Sequence, residues 1–508
     1  MRAWMLPLLL SLAASPSFAR RPPTDPAPPT IEEREAVFGD VDEILKSGEK
    51  KEAASGLVQI AEDEGVRVAL RAEAYARLAG LLKDLNFPYA GLIAASKALR
   101  LDAEHVSSTS ELVLELSRTT GDIELAEDLF AENVGIQVND EIRGTIALMA
   151  ARSAHRRGQS AVASAVLKLV PNDHPEKLEA KLLEGVVLSM QGRHQDALIP
   201  LQIAIALANE QRRDDPRFRN ALQMNLARAY FGAGNFPAAI ENYIKVDRDS
   251  EFWPTAQFER AWAHFRFEDI NGTLSQLQTL QSPFFEDWYF PEADLLRIYS
   301  LFLMCKFPEA NKQIEAFAAD QKPVFETLQS LAARPADDLY TDMKAHIDGE
   351  SVELPPMITR LFEEEDRFLD NRVALQRADA ELKRVRSMQE AVFAQKASQW
   401  LNARHDTLSA TEADRVKGAI TRREAELGQM LNDAELFKLD ILRQETRLYE
   451  AASAAGAIPD PPRKVRRDVR TKKNQLFWPF QGEYWADEAG YYRIETAPEC
   501  PDGLTPGQ

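Results

Sequence analysis

One small-residue slot recurs along the first two thirds of the chain, and it constrains the fold more than any other feature. Alanine occupies it at Ala53, Ala90, Ala126, Ala163, Ala197, Ala239 and Ala310, with Thr273 filling the remaining position. The spacings are 37, 36, 37, 34, 42, 34 and 37 residues. An apolar or small residue follows four positions later at Leu57, Ala94, Phe130, Leu167, Leu201, Tyr243, Leu277 and Ile314. Glycine precedes it by five at Gly48, Gly121, Gly158, Gly192 and Gly234. A glycine ends one helix by taking a left-handed backbone. A small side chain early in the next helix lets the two backbones approach. From residue 34 onward strand signals are nearly absent, and Ala, Leu and Glu recur with helical period. One such hairpin cannot bury both of its apolar faces, so hairpins stack. The expected fold class is all-α, a solenoid of about eight helical hairpins over 34–324.

The best copies resemble the tetratricopeptide repeat family. One is Leu178–Gln211, with Gly185, Gly192, Ala197 and Ala204; another is Asn220–Trp253, with Leu226, Ala227, Tyr230, Gly234, Ala239 and Tyr243 in the family's slots. Several units exceed the family's 34 residues, Thr273 replaces the alanine, and the fourth unit lacks the usual aromatics. The resemblance implies that the first helix of each unit lines a concave, protein-binding groove. In that register Met224, Arg228, Phe231, Phe258, Trp262, Phe265, Tyr299 and Phe302 are the partner-binding candidates, being of types that anchor interfaces. The competing reading of the same aromatic stripe is core between units.

A helical connector is expected over 325–356, ending at Pro355–Pro356. Then Leu361, Phe368, Leu375 and Leu382 recur every seven residues, joined by Ala378, Val385 and Val392. Ile420, Leu427, Ala434, Ile441 and Leu448 do so again, joined by Met430 and Phe437. With a turn at His405–Thr411 and Thr411 as cap, this spacing predicts an antiparallel coiled-coil hairpin over 357–455. The alternative is two helices that each lie on the solenoid.

The ends carry different signals. Arg2, the apolar run Met5–Ala14 and the small-x-small triplet Ser17-Phe18-Ala19 predict a cleaved signal peptide over 1–19; a short membrane anchor is the alternative. A Pro-rich linker over 20–33 follows. At the other end lies a basic and aromatic tail, 456–508. Its cluster Arg463, Lys464, Arg466, Arg467, Arg470, Lys472 and Lys473 suits either an anionic surface, such as a membrane face, or the acidic solenoid. Phe477, Trp478, Phe480, Tyr484, Trp485, Tyr491 and Tyr492 crowd the segment after it. That apolar load belongs to an element that docks on its own chain or binds a partner. The string WPFQGEYWADEAGYYR resembles the C-terminal motif of periplasmic repeat proteins of the bacterial adventurous-gliding machinery.

Catalytic chemistry is not written in the chain. No two of the seven histidines lie at a metal-pair spacing, and no G-x-S-x-G occurs. Gly232-Ala-Gly234 reads as an inter-helix turn, and Glu363-Glu364-Glu365-Asp366 as the acidic first turn of a helix. Cys305 and Cys500 are either one disulfide or two thiols. A net charge of -19 argues against nucleic acid as a partner. No enzyme activity, cofactor or metal is expected. The resulting expectation is a periplasmic protein of a Gram-negative bacterium that scaffolds an envelope-spanning assembly, gliding motility being the narrowest version. Recruitment of a cell-wall enzyme, or assistance to outer-membrane protein assembly or export, are the rivals.

Overall fold

The computed structural model describes residues 28–211, 214–363, 365–388, 391–454 and 480–500. The signal segment, most of the Pro-rich linker, the basic cluster, Phe477 and Trp478 lie outside the described residues. The first described helix begins at Ile31, three residues before the expected boundary. Thr30 sets it: its hydroxyl accepts from the Glu33 N–H while the Glu33 carboxylate accepts from the Thr30 N–H, at 3.2 and 2.8 Å.

The described residues form an all-α structure of consecutive antiparallel hairpins. In chain order the pairs are α1 (Ile31–Ser47) with α2 (Lys50–Glu62), α3 (Val68–Asp84) with α4 (Pro88–Asp102), α5 (Thr109–Thr120) with α6 (Ile123–Glu132), and α7 (Asp140–Arg156) with α8 (Ser160–Leu167). Then come α9 (Lys177–Met190) with α10 (His194–Glu210), α11 (Pro216–Gly232) with α12 (Phe236–Tyr243), α13 (Trp253–Arg266) with α14 (Ile270–Leu280), and α15 (Pro291–Leu303) with α16 (Phe307–Ala332). The chain divides into two compact units, cut inside α9 at Leu183 and Glu184.

All eight slot residues sit on the second helix of their hairpin, and every one has no exposed surface. The residues four later are equally enclosed, from Ala94 and Phe130 at 0% to Leu167 at 4%. The slot fixes the turn as well. Gly48, Gly121, Gly158, Gly192 and Gly234 all have φ between 70 and 89°. In the three remaining hairpins Asn86, Glu268 and Cys305 adopt the same left-handed region, at φ 65, 63 and 56°. The turn geometry therefore outranks residue preference here. Gly185 shows the close approach directly: a Cβ there would lie 2.4 Å from Leu201 Cγ across the α9–α10 hairpin.

The first unit adds α19 (Asp366–Arg386) and the start of α20 (Val392–Ala454), up to Thr411. Glu381 of α19, 1% exposed, accepts from the N–H groups of Tyr89 and Ala90 at 2.9 and 2.7 Å. It thereby caps the first turn of α4, where backbone donors lack partners. Arg404 of α20 forms a two-pronged pair with the enclosed Asp122 at 2.7 Å, and Tyr89 donates its hydroxyl to the same carboxylate at 2.7 Å. Phe393 packs on Phe87, and Trp400 on Tyr75, with ring centroids 6.0 and 6.1 Å apart.

The helical hairpin after the solenoid is present, but its two helices end at Arg386 and start at Val392, so His405–Thr411 is not its turn. Arg386 reaches Asn402 at 3.2 Å, and His405 lies 3.5 Å from Asp379, which fixes the antiparallel register. Residues 405–411 contain neither Gly nor Pro, and α20 runs straight through them. Thr411 does not cap a helix; its hydroxyl donates back to the Thr407 carbonyl at 2.8 Å, as mid-helix threonines do.

The second unit adds α17 (Ala336–Ile347), α18 (Pro356–Glu363) and α20 from Glu412 onward. Its solenoid part ends later than expected, because α16 continues to Ala332. Ile420, Leu427, Ala434 and Ile441 are buried, as their spacing requires. Their stripe faces the repeats: Phe437 packs on Tyr299 with centroids 5.5 Å apart, and Phe325 covers Gly428. The Lys417 ammonium donates to the carbonyls of Ala332 and Arg334 at the end of α16, where positive charge is favourable. Here the alternative expectation, a helix lying on the solenoid, describes α20. Of the acidic run, Glu363 ends α18 and pairs with His346 at 2.7 Å, while Glu365 and Asp366 open α19.

Candidate interaction surface

The first helices α11, α13 and α15 carry the expected partner-binding set, and the structure divides it. Met224 and Phe302 are core, 1% and 6% exposed. Phe231, Phe258, Trp262, Phe265 and Tyr299 are half-buried. Trp262 meets Phe265 edge-on, Phe265 meets Tyr299, and Tyr299 stacks with Phe302, at centroid distances of 5.6, 5.5 and 6.2 Å. Phe258 stacks on Phe290 at 5.2 Å. Trp262, Phe265, Tyr299 and Phe302 form one row across α13 and α15, and Phe258 with Phe290 forms a separate pair. Phe437 of α20 closes the row at Tyr299.

Arg228 is held for display. Its guanidinium binds Glu259 of α13 through Nε and Nη2, at 2.9 and 2.6 Å, and Tyr243 donates to the same carboxylate at 2.9 Å. The planar fork is thus fixed in place rather than sampling rotamers. Row and fork together offer apolar rings beside one oriented cation, the composition of an interface anchor.

A second feature was not expected in this form. Residues 480–500 form a strap against α14, turned over 486–490 and extended from Tyr491 on. The Gly490 N–H donates to Thr279 Oγ1 at 3.1 Å, the Ile494 N–H to Ser275 Oγ at 2.8 Å, and the Thr496 N–H to Asn271 Oδ1 at 3.0 Å. Asn271 Nδ2 returns a bond to the Thr496 carbonyl at 3.2 Å. Asn271, Ser275 and Thr279 are four apart and share one helix face. Further along, the Glu499 N–H donates to the Met304 carbonyl at 2.8 Å, Lys306 pairs with Glu499, and Cys305 is disulfide-bonded to Cys500. At the other end Arg248 donates to the carbonyls of Ala486 and Asp487 and lies over the rings of Trp253 and Tyr491.

The tail aromatics divide likewise. Tyr484 accepts from Gln278 at 2.7 Å and joins Phe480 and Tyr492 in a cluster of edge-on rings. Burial raises the Tyr484 hydroxyl pKa above its ordinary value. Trp485 and Tyr491 stay exposed, at 59% and 72%. The tail therefore docks on its own chain. The sequence signal for its receptor is the polar row Asn271, Ser275 and Thr279 on one face of α14.

Among the described residues no group of three or more His, Cys, Asp or Glu is placed to hold a metal ion. No described helix is long and apolar enough to cross a membrane.

No protein-family model matches the sequence, and no curated protein does. Solved structures with a likeness include a tetratricopeptide repeat protein from Parabacteroides merdae ATCC 43184, 12% identical, covering 57% of this chain and 93% of that one at a TM-score of 0.28. A Rap protein complexed with competence and sporulation factor is 11% identical over 74% of this chain and 99% of its own, also at 0.28. The tetratricopeptide domain of P58(IPK) is 13% identical over 81% and 98%, at 0.18. At these TM-scores the description of the fold rests on the hairpins of this chain and not on the likeness.

Proposed function

We propose that this protein is a non-catalytic scaffold that binds other proteins through the α11–α13–α15 face. The observation that carries this reading is the set of half-buried rings Phe258, Trp262 and Phe265 on α13, the helix whose Glu259 clamps Arg228. Rings held by their neighbours lose little entropy on binding, and an oriented guanidinium supplies direction. We further propose export to the periplasm and a place in an envelope-spanning assembly. The signal-like segment 1–19 supports export. So does the Cys305–Cys500 bridge, because disulfides persist in oxidising compartments. The gliding assignment has only the likeness of the string around Trp478–Arg493 behind it.

Fractionation of the natural host with N-terminal sequencing tests the address. Periplasmic protein beginning at Arg20 is expected; cytoplasmic protein retaining Met1 contradicts it. Affinity recovery after in-cell crosslinking then separates the rivals. Stoichiometric envelope subunits indicate the scaffold, and a cell-wall hydrolase recovered in their place indicates the recruiter.

A further inference from the structure

The strap along α14 is bound the way a peptide ligand is bound. Its contacts to the α14 side chains run mostly through its own main chain, which a foreign segment also possesses. Exposure alternates along it: Tyr491, Arg493 and Glu495 face out while Tyr492, Ile494 and Thr496 face α14. That is the period of an extended segment with one face on its receptor. Only one described residue of the strap, Ala489, is buried, at 4% exposed. Specificity is concentrated at Gly490, whose φ is 87° and where a Cβ would lie 2.9 Å from the Trp253 ring. Little apolar area holds the strap down, so its docking is weak by itself. The bridge to Cys305 makes it permanent.

We infer that the α14 face, with Asn271, Ser275 and Thr279 reading main-chain groups and Trp253 selecting a glycine, is a second peptide-binding site that the disulfide keeps filled by the chain's own strap. A dithiol reductant opens it. Two electrons and two protons convert the bridge to the Cys305 and Cys500 thiols, and the dithiol becomes its own disulfide. The freed site takes a partner-protein segment that turns at a glycine and then runs extended, with aromatic side chains on either side of the turn. The strap stays tethered and competes at an effective concentration on the order of millimolar. This inference rests on the strap contacts and is independent of the aromatic row on α11, α13 and α15.

The test uses the full chain, with a fluorescent peptide of sequence 480–500 carrying Cys500→Ser as probe. In the oxidised protein the amides of Gly490, Ile494, Thr496 and Glu499 should exchange hydrogen slowly. Reduction should speed them at least tenfold and leave α13–α16 protected. The peptide should bind the reduced chain saturably, with half-saturation near millimolar, and the oxidised chain not at all. Asn271→Ala should weaken that binding at least tenfold, and Ser275→Ala should weaken it too, which keeps the test intact if the first variant folds poorly. Unchanged exchange on reduction would overturn the inference. So would joint loss of protection in the strap and α13–α16, since the strap would then be core, or equal peptide binding by both redox forms.

Discussion

Single residues hold the returning segments to the repeats, and Asp122 is the most exacting of them. It has no exposed surface, caps α6 by accepting from the Leu125 N–H at 3.1 Å, and pairs with Arg404. Arg404→Met leaves that carboxylate buried without its cation. The expected cost is about 3–5 kcal/mol in chemical denaturation. Adding Asp122→Asn should recover much of it, because the cap survives and the stranded charge does not; strictly additive losses would contradict the pairing. Asp294 behaves differently. Burial holds its carboxyl up at about 6 against an ordinary 3.8, with Arg297 opposing and Asp320 reinforcing the shift. A raised carboxyl favours the protonated fold. Its contribution is fully present below pH 3.8 and is lost as pH rises through about 6. Asp294→Asn should therefore stabilise the protein by about 3 kcal/mol at pH 7 and hardly at all at pH 3.5. Equal effects at both pH values would show that the burial penalty is absent.

At the scale of elements, the hairpins were legible and their accessories less so. The slot alanines announce where two helices touch, and each lands on a second helix with no exposure. The three turns without glycine were not legible, because Asn86, Glu268 and Cys305 take the left-handed backbone under tertiary constraint rather than by preference. The heptads predicted the burial of Ile420, Leu427, Ala434 and Ile441 on α20, though Val392 is exposed and Leu448 half-buried, and they did not predict what buries them. A seven-residue stripe specifies an apolar seam, and a solenoid face satisfies it as well as a second coil does. Thr411 is of a residue type that caps helices and so points to a turn, whereas its hydroxyl is spent inside the helix. Ser409→Pro distinguishes the two accounts. In a turn it is nearly neutral. In a continuous helix it removes the bond to the His405 carbonyl and costs about 3 kcal/mol or more, readable as a lower thermal midpoint.

At the scale of the whole molecule, each unit is completed by a segment from the C-terminal part of the chain, 364–411 in the first and 412–508 in the second. Glu381 is 292 positions from Tyr89, and Cys500 is 195 from Cys305. No local pattern carries such pairings, which is why the period gave the hairpins and left the strap's receptor unread. The partner-binding set was legible in part. The register placed five rings on a half-buried face and put Met224 and Phe302 there too, where one-residue differences in a helix turn a side chain inward. The central claim is that this face binds proteins. A photo-crosslinking amino acid placed at Trp262, with a control at the exposed Ile199 of α10, tests it in living cells. The account predicts a discrete heteromeric adduct from position 262, none from 199, and loss of the adduct on Arg228→Glu. Equal adducts from both positions, or persistence of the 262 adduct in Arg228→Glu, would contradict it.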